Sequence, residues 1–438
     1  MSTFLILPLG FLLGGTVVSL LLARLRWRYS ADSAAITAVL TLIVWLLAGR
    51  NLPLAAPEGA SQTGSGIALW LFSVDESVWW MSFSILLLLA ASLVIMISVN
   101  RYYHAGSRLS LRRSLAPSAS LLITIAVLLS LWAVTLPAVA TGWTLIAGTW
   151  ALLVWSARKD QQARVRIIVR SSAMLLSLLF IGLAAASQPD LMKLATRPES
   201  WSDQARVWAM LAAVVQLGAF PLHWWRPVGG SYVIGTAALV AIAPSVAGAQ
   251  FLARLASSGA DGGGVFSLLL TAFGLLGIIY GVGISWSNPD KRLVAISAIA
   301  LSHISLILLA GAWSSSATIT LLTQVLILGV GGLFLGITWP GRLSQLSKFP
   351  MWIGVAAIAG IPLTAGFLGI SSLYGSQISD SRLVLALVTA LLMMPIIAAA
   401  ILQVWEVGKN KQPVDLPRLG QVSVIFAFSL PALGLIIL

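Results

Sequence analysis

Leu217-Gly-Ala-Phe-Pro-Leu-His-Trp-Trp225 and Ala359-Gly-Ile-Pro-Leu-Thr-Ala-Gly-Phe367 are the two stretches that decide the fold. Each carries a proline, Pro221 or Pro362, inside an apolar run long enough to cross a bilayer. Proline removes a helical hydrogen bond and clashes with the preceding turn. In lipid the freed backbone groups need partners, so such breaks persist only where protein or a wet cavity surrounds them. Two breaks in corresponding places point to an internally repeated transporter with its pathway near the breaks. The plainer alternative is a pair of ordinary kinked helices.

The rest of the chain agrees with a membrane setting. Its 438 residues are 59% hydrophobic and 9% charged, with a mean hydropathy of +0.97. A crossing helix needs ~20 apolar residues, and the runs give about fourteen spans, among them 168–187, 207–225, 231–253 and 351–371. The expected fold is therefore all-α and polytopic. The first span lacks basic residues ahead of it and is longer than a signal-peptide core, so it is expected to be retained. No long polar segment offers a soluble domain. Residues 51–78, with Pro53, Pro57 and a Gly/Ser cluster at 59–66, read as a loop. Residues 1–115 hold spans one to three, 116–255 spans four to eight, 264–410 spans nine to thirteen, and 411–438 the closing span. The breaks fall in spans seven and twelve, at the same relative place in two five-helix blocks. An odd number of spans per block makes the repeats inverted.

The net charge is +13, from 26 Lys and Arg against 13 Asp and Glu. With the N-terminus outside, twenty of the 26 basic residues fall at inner ends and loops, Arg170 and Arg226 among them. That bias places both termini outside, in an integral protein of the bacterial inner membrane. The cations read as anchors at an anionic membrane surface, so lipids are expected partners. Nucleic acid is not, because no large basic surface lies outside the membrane. The 18 tryptophans fit interfacial belts. There is no cysteine, which rules out disulfides and thiolate chemistry in this chain. No motif supports a nucleotide, haem, metal or flavin, so no cofactor is expected. Gly262–Gly264 reads as a loop and Gly329–Gly332 as a close helix contact, since neither follows a strand.

Four segments carry a family resemblance. They are Gly142-Trp143-Thr144-Leu-Ile-Ala-Gly148, Phe220-Pro221-Leu-His223-Trp-Trp225-Arg-Pro227, Asp290-Lys291-Arg292-Leu-Val-Ala295-Ile-Ser297 and Gly360-Ile-Pro362-Leu-Thr-Ala-Gly366-Phe367. In this order the chain resembles, over about residues 70–410, the antiporter-like membrane subunits of respiratory complex I, of multi-subunit sodium/proton antiporters and of membrane-bound hydrogenases. The resemblance implies a proton path with a glutamate in span five, a lysine in span seven, a lysine or histidine in span eight, and a lysine or glutamate in span twelve. This chain departs from it. Thr144 stands at the glutamate position and Gln216 at the span-seven lysine. Val240 and Val246 stand in span eight, and Thr320, Gln324 and Leu328 in span eleven, with nothing ionisable in span twelve. A pumping site needs groups that titrate near working pH. Thr144, Gln216 and Gln324 can hold water by hydrogen bonding but cannot store a proton.

Two histidines are the candidate relays. His223 follows Pro221 in the broken span; its other reading is a ring capping freed carbonyls beside Trp224 and Trp225. His303, mid-span ten, reads as the one clearly intramembrane ionisable group and is a functional candidate for that reason; otherwise it is a neutral ring bonded to a neighbouring helix. Asp290, Lys291 and Arg292 read as a loop cluster at a helix start, Asp75 and Glu76 as external, and Glu406 as a surface partner of Lys409 and Lys411. Gln250 and Gln403 are expected to bridge helices. The resemblance implies a non-catalytic subunit in the membrane arm of a complex I-type NADH/quinone oxidoreductase, among other membrane subunits, with proton conduction weakened or lost. The rival readings are the membrane subunit of an ion-coupled transporter, such as an inorganic-carbon uptake system, and a structural scaffold.

Overall fold

A chain surrounded by hydrocarbon must satisfy its backbone polar groups within each segment, and helices do this. The computed structural model describes residues 3–25, 29–49, 72–102, 111–157, 161–188, 201–226, 235–256, 264–339, 345–407 and 418–437, and among them helix dominates. The helices are α1 (Thr3–Arg24), α2 (Ser30–Ala48), α3 (Glu76–Tyr102), α4 (Leu111–Trp132), α5 (Leu136–Ala157), α6 (Gln161–Ser187), α7 (Asp203–Leu217) and α8 (Ala237–Ala256). They continue with α9 (Val265–Ser287), α10 (Arg292–Trp313), α11 (Ser316–Gln324), a π-helical turn (Val325–Val330), α12 (Gly331–Thr338), α13 (Gln345–Ile358), α14 (Ala365–Ser379), α15 (Leu383–Glu406) and α16 (Arg418–Ile437). Eleven candidate spans, with α11 to α12 counted as one, are long and apolar enough to cross a membrane. The chain is an integral membrane protein. A count of fourteen crossings adds α7 with its break, α13 with α14, and α16.

Helices α3, α4, α8, α10 and the α11–π–α12 rod bury most of their residues, while α1, α2, α5, α6, α9 and α15 leave more than half outside. The centre is thus a bundle wrapped by lipid-facing helices. Without a hydrophobic drive between helices in lipid, close backbone approach over small residues holds them together. α9 lays Gly274, Gly277 and Gly281 against Leu309, Ser305 and Ser302 of α10. A Cβ on Gly277 or Gly281 would meet a serine hydroxyl, which can rotate away, but at Gly281 it would also lie 2.9 Å from Ala298 O, so alanine there forces the two backbones apart. The π turn meets α13 the same way, Gly329 against Gly354, which is the close contact expected of Gly329–Gly332.

Several tryptophans face the interior of the chain rather than its surface. Trp45, Trp132, Trp143, Trp150 and Trp339 are fully buried. Trp45 and Trp79 exchange indole N–H bonds to each other's carbonyl oxygen, both at 3.1 Å, and Trp45 stacks on Trp132. These residues sit at helix ends, where an indole finds backbone carbonyls, and there they tie α2, α3 and α4 together.

The two breaks share one construction. α7 ends on Gly218 at φ 65°, with Gly218 N–H donating to Val215 O and Ala219 N–H to Val214 O. After α13, Gly360 takes φ 68°, with Gly360 N–H donating to Ala357 O and Ile361 N–H to Ala356 O. Both are Schellman motifs, in which a left-handed glycine closes the last turn. The prolines come two or three residues later, so glycine ends each helix and proline keeps it from resuming. Aligned on these glycines, the breaks are one residue out of register with the alignment on the prolines. Gly366 then lets α14 start against α13, because a Cβ there would lie 1.7 Å from Ala357 O. Loop 51–71, Gly262, Gly263, Pro227, Lys409 and Lys411 lie outside the described residues.

Candidate functional site

The first cluster forms where α7 stops. Gln216, fully buried, accepts a hydrogen bond at Oε1 from Arg170 Nη2 at 2.9 Å. Arg170 lies on α6, and its guanidinium also stacks on Trp225, 3.9 Å from the ring centroid. Trp225 in turn donates Nε1–H to Val215 O at 2.8 Å. The next residue, Arg226, donates from Nη1 to Leu217 O at 3.2 Å and to Ser245 Oγ of α8 at 2.8 Å, and Ser245 donates to Leu217 O at 2.7 Å. Arg170 is 1% exposed and Arg226 6%. This corrects the sequence reading, which set both among surface anchors and made His303 the one clear intramembrane ionisable group. A long cationic side chain near a span end usually snorkels to water; here the break after α7 turns both inward, onto freed carbonyls and an indole face. A buried charge is costly unless it is paired or hydrogen-bonded, so two buried arginines are a demanding feature. Both guanidiniums stay protonated at any biological pH.

The second cluster is mid-bundle. His303 Nε2 lies 2.8 Å from Leu322 O on α11. A carbonyl only accepts, so Nε2 carries the proton; Nδ1 has no partner among the described residues. The bond falls where α11 gives way to the π turn, and Leu322 O accepts from Val325 N–H there as well. Gln324, at the end of α11, is buried and keeps Oε1 without a partner among the described residues, as does Gln250 on α8. From here a seam of hydroxyls runs toward one end of the bundle between α10, α11 and α14. Thr318 Oγ1 and Ser372 Oγ are 2.7 Å apart, and Ser314 Oγ and Ser376 Oγ 2.6 Å. Six residues separate Thr318 from Gln324, or about 9 Å of helix rise. Gln377, fully buried beside Ser376, leaves both amide atoms without partners among the described residues.

Of the other candidates, Thr144 stands apart, while His223 borders the first cluster, its carbonyl oxygen accepting Arg226 N–H at 2.9 Å. Thr144 faces out of the chain and donates to Ala140 O of its own helix at 2.8 Å. His223 is half-buried, with ring centroids 5.7 Å from Phe220 and 4.6 Å from Tyr280. The structure therefore places His303 beside Leu322, two residues from Gln324, and sets Gln216 with Arg170, but among the described residues no direct bond joins the two clusters. Gln403 of α15 donates to Pro289 O at 3.1 Å, in the turn between α9 and α10 rather than on a neighbouring helix. Asp75 is exposed and caps α3 through Val78 N–H at 2.8 Å. Among the described residues no group of His, Asp and Glu could hold a metal.

The same fold occurs in solved multi-subunit membrane complexes. A chain of respiratory complex I from Thermus thermophilus with bound aureothin superposes with a TM-score of 0.70 at 18% identity, covering 98% of this chain and 96% of that one. A chain of the membrane-bound sulfane sulfur reductase, an archaeal respiratory membrane complex, gives 0.66 at 15%, covering 97% and 75%. A chain of the Mrp complex from a Dietzia species gives 0.73 at 16%, covering all of this chain and half of that one. At these identities the shared property is the fold. No protein-family model and no curated protein matches the sequence.

Proposed function

We propose that this chain is an antiporter-like subunit in the membrane arm of a complex I-type oxidoreductase, and that its own proton conduction is weakened or lost. It would sit in the bacterial inner membrane with both termini outside, and 116–255 and 264–410 would form its two inverted repeats. The fold shared with chains of respiratory complex I and of the membrane-bound sulfane sulfur reductase supports the setting, and a chain of the Mrp complex has it too. One observation carries the reading of lost conduction, namely the contact of Gln216 with Arg170. Where the resemblance calls for a lysine that gains and loses its proton, the chain has an amide pinned by a cation that never does. A fixed charge also repels an incoming proton, and Coulomb energies grow as the dielectric falls.

The paired hydroxyls where α11, α14 and the end of α10 meet favour the second reading, in which a path persists and His223 and His303 serve as its relays. Proton flux into liposomes holding the purified chain separates the two. Flux no greater than in protein-free liposomes is expected. Flux well above that level, abolished in the His223→Gln/His303→Gln double variant, overturns the reading of lost conduction. The transporter-subunit and scaffold alternatives are decided by the partners.

A further inference from the structure

The cluster at the end of α7 is rich in donors and short of acceptors. Arg170 Nε and Nη1, Arg226 Nε and Gln216 Nε2 have no hydrogen-bond partner among the described residues. All four are N–H groups. The acceptors nearby, Gln216 Oε1, Leu217 O, Val215 O and Ser245 Oγ, are already engaged. The two guanidiniums are held to one helix turn, Arg170 through Gln216 and Arg226 through Leu217. Trp225 lies under Arg170, and both the Trp225 ring and the Arg226 methylenes press on Gly218. No ion pair joins either arginine to a carboxylate among the described residues. The C-terminal end of α7 supplies roughly half a negative charge, against two full positive ones.

We propose that Arg170, Arg226 and the Gln216 amide form a buried site for a small monovalent anion, of chloride or hydrogencarbonate size. An anion meets both demands at once, accepting from several N–H groups and cancelling charge, with the shorter and stronger bonds of charge-assisted pairs. Burial of both arginines puts them out of reach of a side chain from a neighbouring subunit, so a diffusible ion fits better than a partner's carboxylate. The site stands on this geometry alone and does not depend on whether the chain conducts protons.

The test is the melting temperature of the purified full chain as gluconate, too large for such a site, is exchanged for chloride or hydrogencarbonate at constant ionic strength. A ligand that binds only the folded state raises Tm with saturation. A saturable rise is expected in the wild type and in Arg254→Gln, whose arginine lies elsewhere and bonds Leu131 O. The rise should vanish in Arg170→Gln. If that variant does not fold, Arg170→Lys, which keeps the charge but not the fork, should saturate at a several-fold higher concentration. A Tm indifferent to the anion, or an unsaturating rise shared by all variants, overturns the site. So does stabilisation that appears only when native membrane partners are added, which would assign the counter-charge to a neighbouring subunit.

Discussion

At the scale of single residues, Gln216 and Arg170 carry most of the account. Buried Gln216 and Arg170 are bonded to one another at 2.9 Å, and Arg170 is held further by the Trp225 ring. Hydrogen bonds to charged groups are worth about 1.5–3 kcal/mol. Gln216→Leu should therefore destabilise the protein by about that amount, since it leaves the Arg170 donor unmatched. The double variant Arg170→Leu/Gln216→Leu removes the charge with the amide and should recover most of the loss, because a buried polar pair replaced by apolar groups is often neutral. Thermal unfolding of the three proteins in detergent decides it; a single variant as stable as the double would show that the contact holds nothing. Gln216 was legible from its distance to Pro221. Arg170 was not, because counting basic residues by topology treats every cation near a span end as a loop anchor. The signal was present all the same, since Arg170 lies inside the apolar run 168–187. Arg226 sits one residue past the run 207–225, and only the turn that brings Trp225 and Arg226 back onto α7 shows its burial.

At the scale of elements, the breaks decide where irregular backbone can lie. The sequence marked them by proline, whose effect on a helix is local and needs no fold to read. The agents that end the helices are Gly218 and Gly360, and that was less legible because a glycine is common in membrane helices for close contact as well. Gly366 is the clearest test of the second break. Gly366→Ala drives a Cβ into Ala357 O, and overpacking costs about 1–3 kcal/mol or more. Gly375→Ala, in α14 with open space around it, should instead stabilise by up to about 1 kcal/mol, the ordinary gain of alanine over glycine in a helix. Equal effects in the two variants would mean that α13 and α14 do not meet as described. The break itself is exposed: Leu363 is 89% accessible at φ 71°, with Ile361 and Pro362 exposed beside it. The eleven residues of helix from Lys348 to Ile358 reach about 15 Å over ten rises, half the hydrocarbon thickness. Irregular backbone at that depth needs protein around it, which is an argument for a neighbouring subunit against this face.

At the scale of the whole molecule, the all-α membrane fold followed from hydropathy, since only helices or closed barrels satisfy a backbone in lipid. Composition could not divide the helices into a buried centre and a wrapped exterior, because α9 and α10 are similarly apolar and differ in what they touch. It is at this scale that the proposed role is decided. The measurement is purification of the tagged protein from its native membrane in mild detergent, with mass spectrometry of every chain that comes with it. The account predicts further membrane subunits together with quinone-site and iron–sulfur subunits. Recovery of the chain alone, or with a single soluble partner, would contradict it.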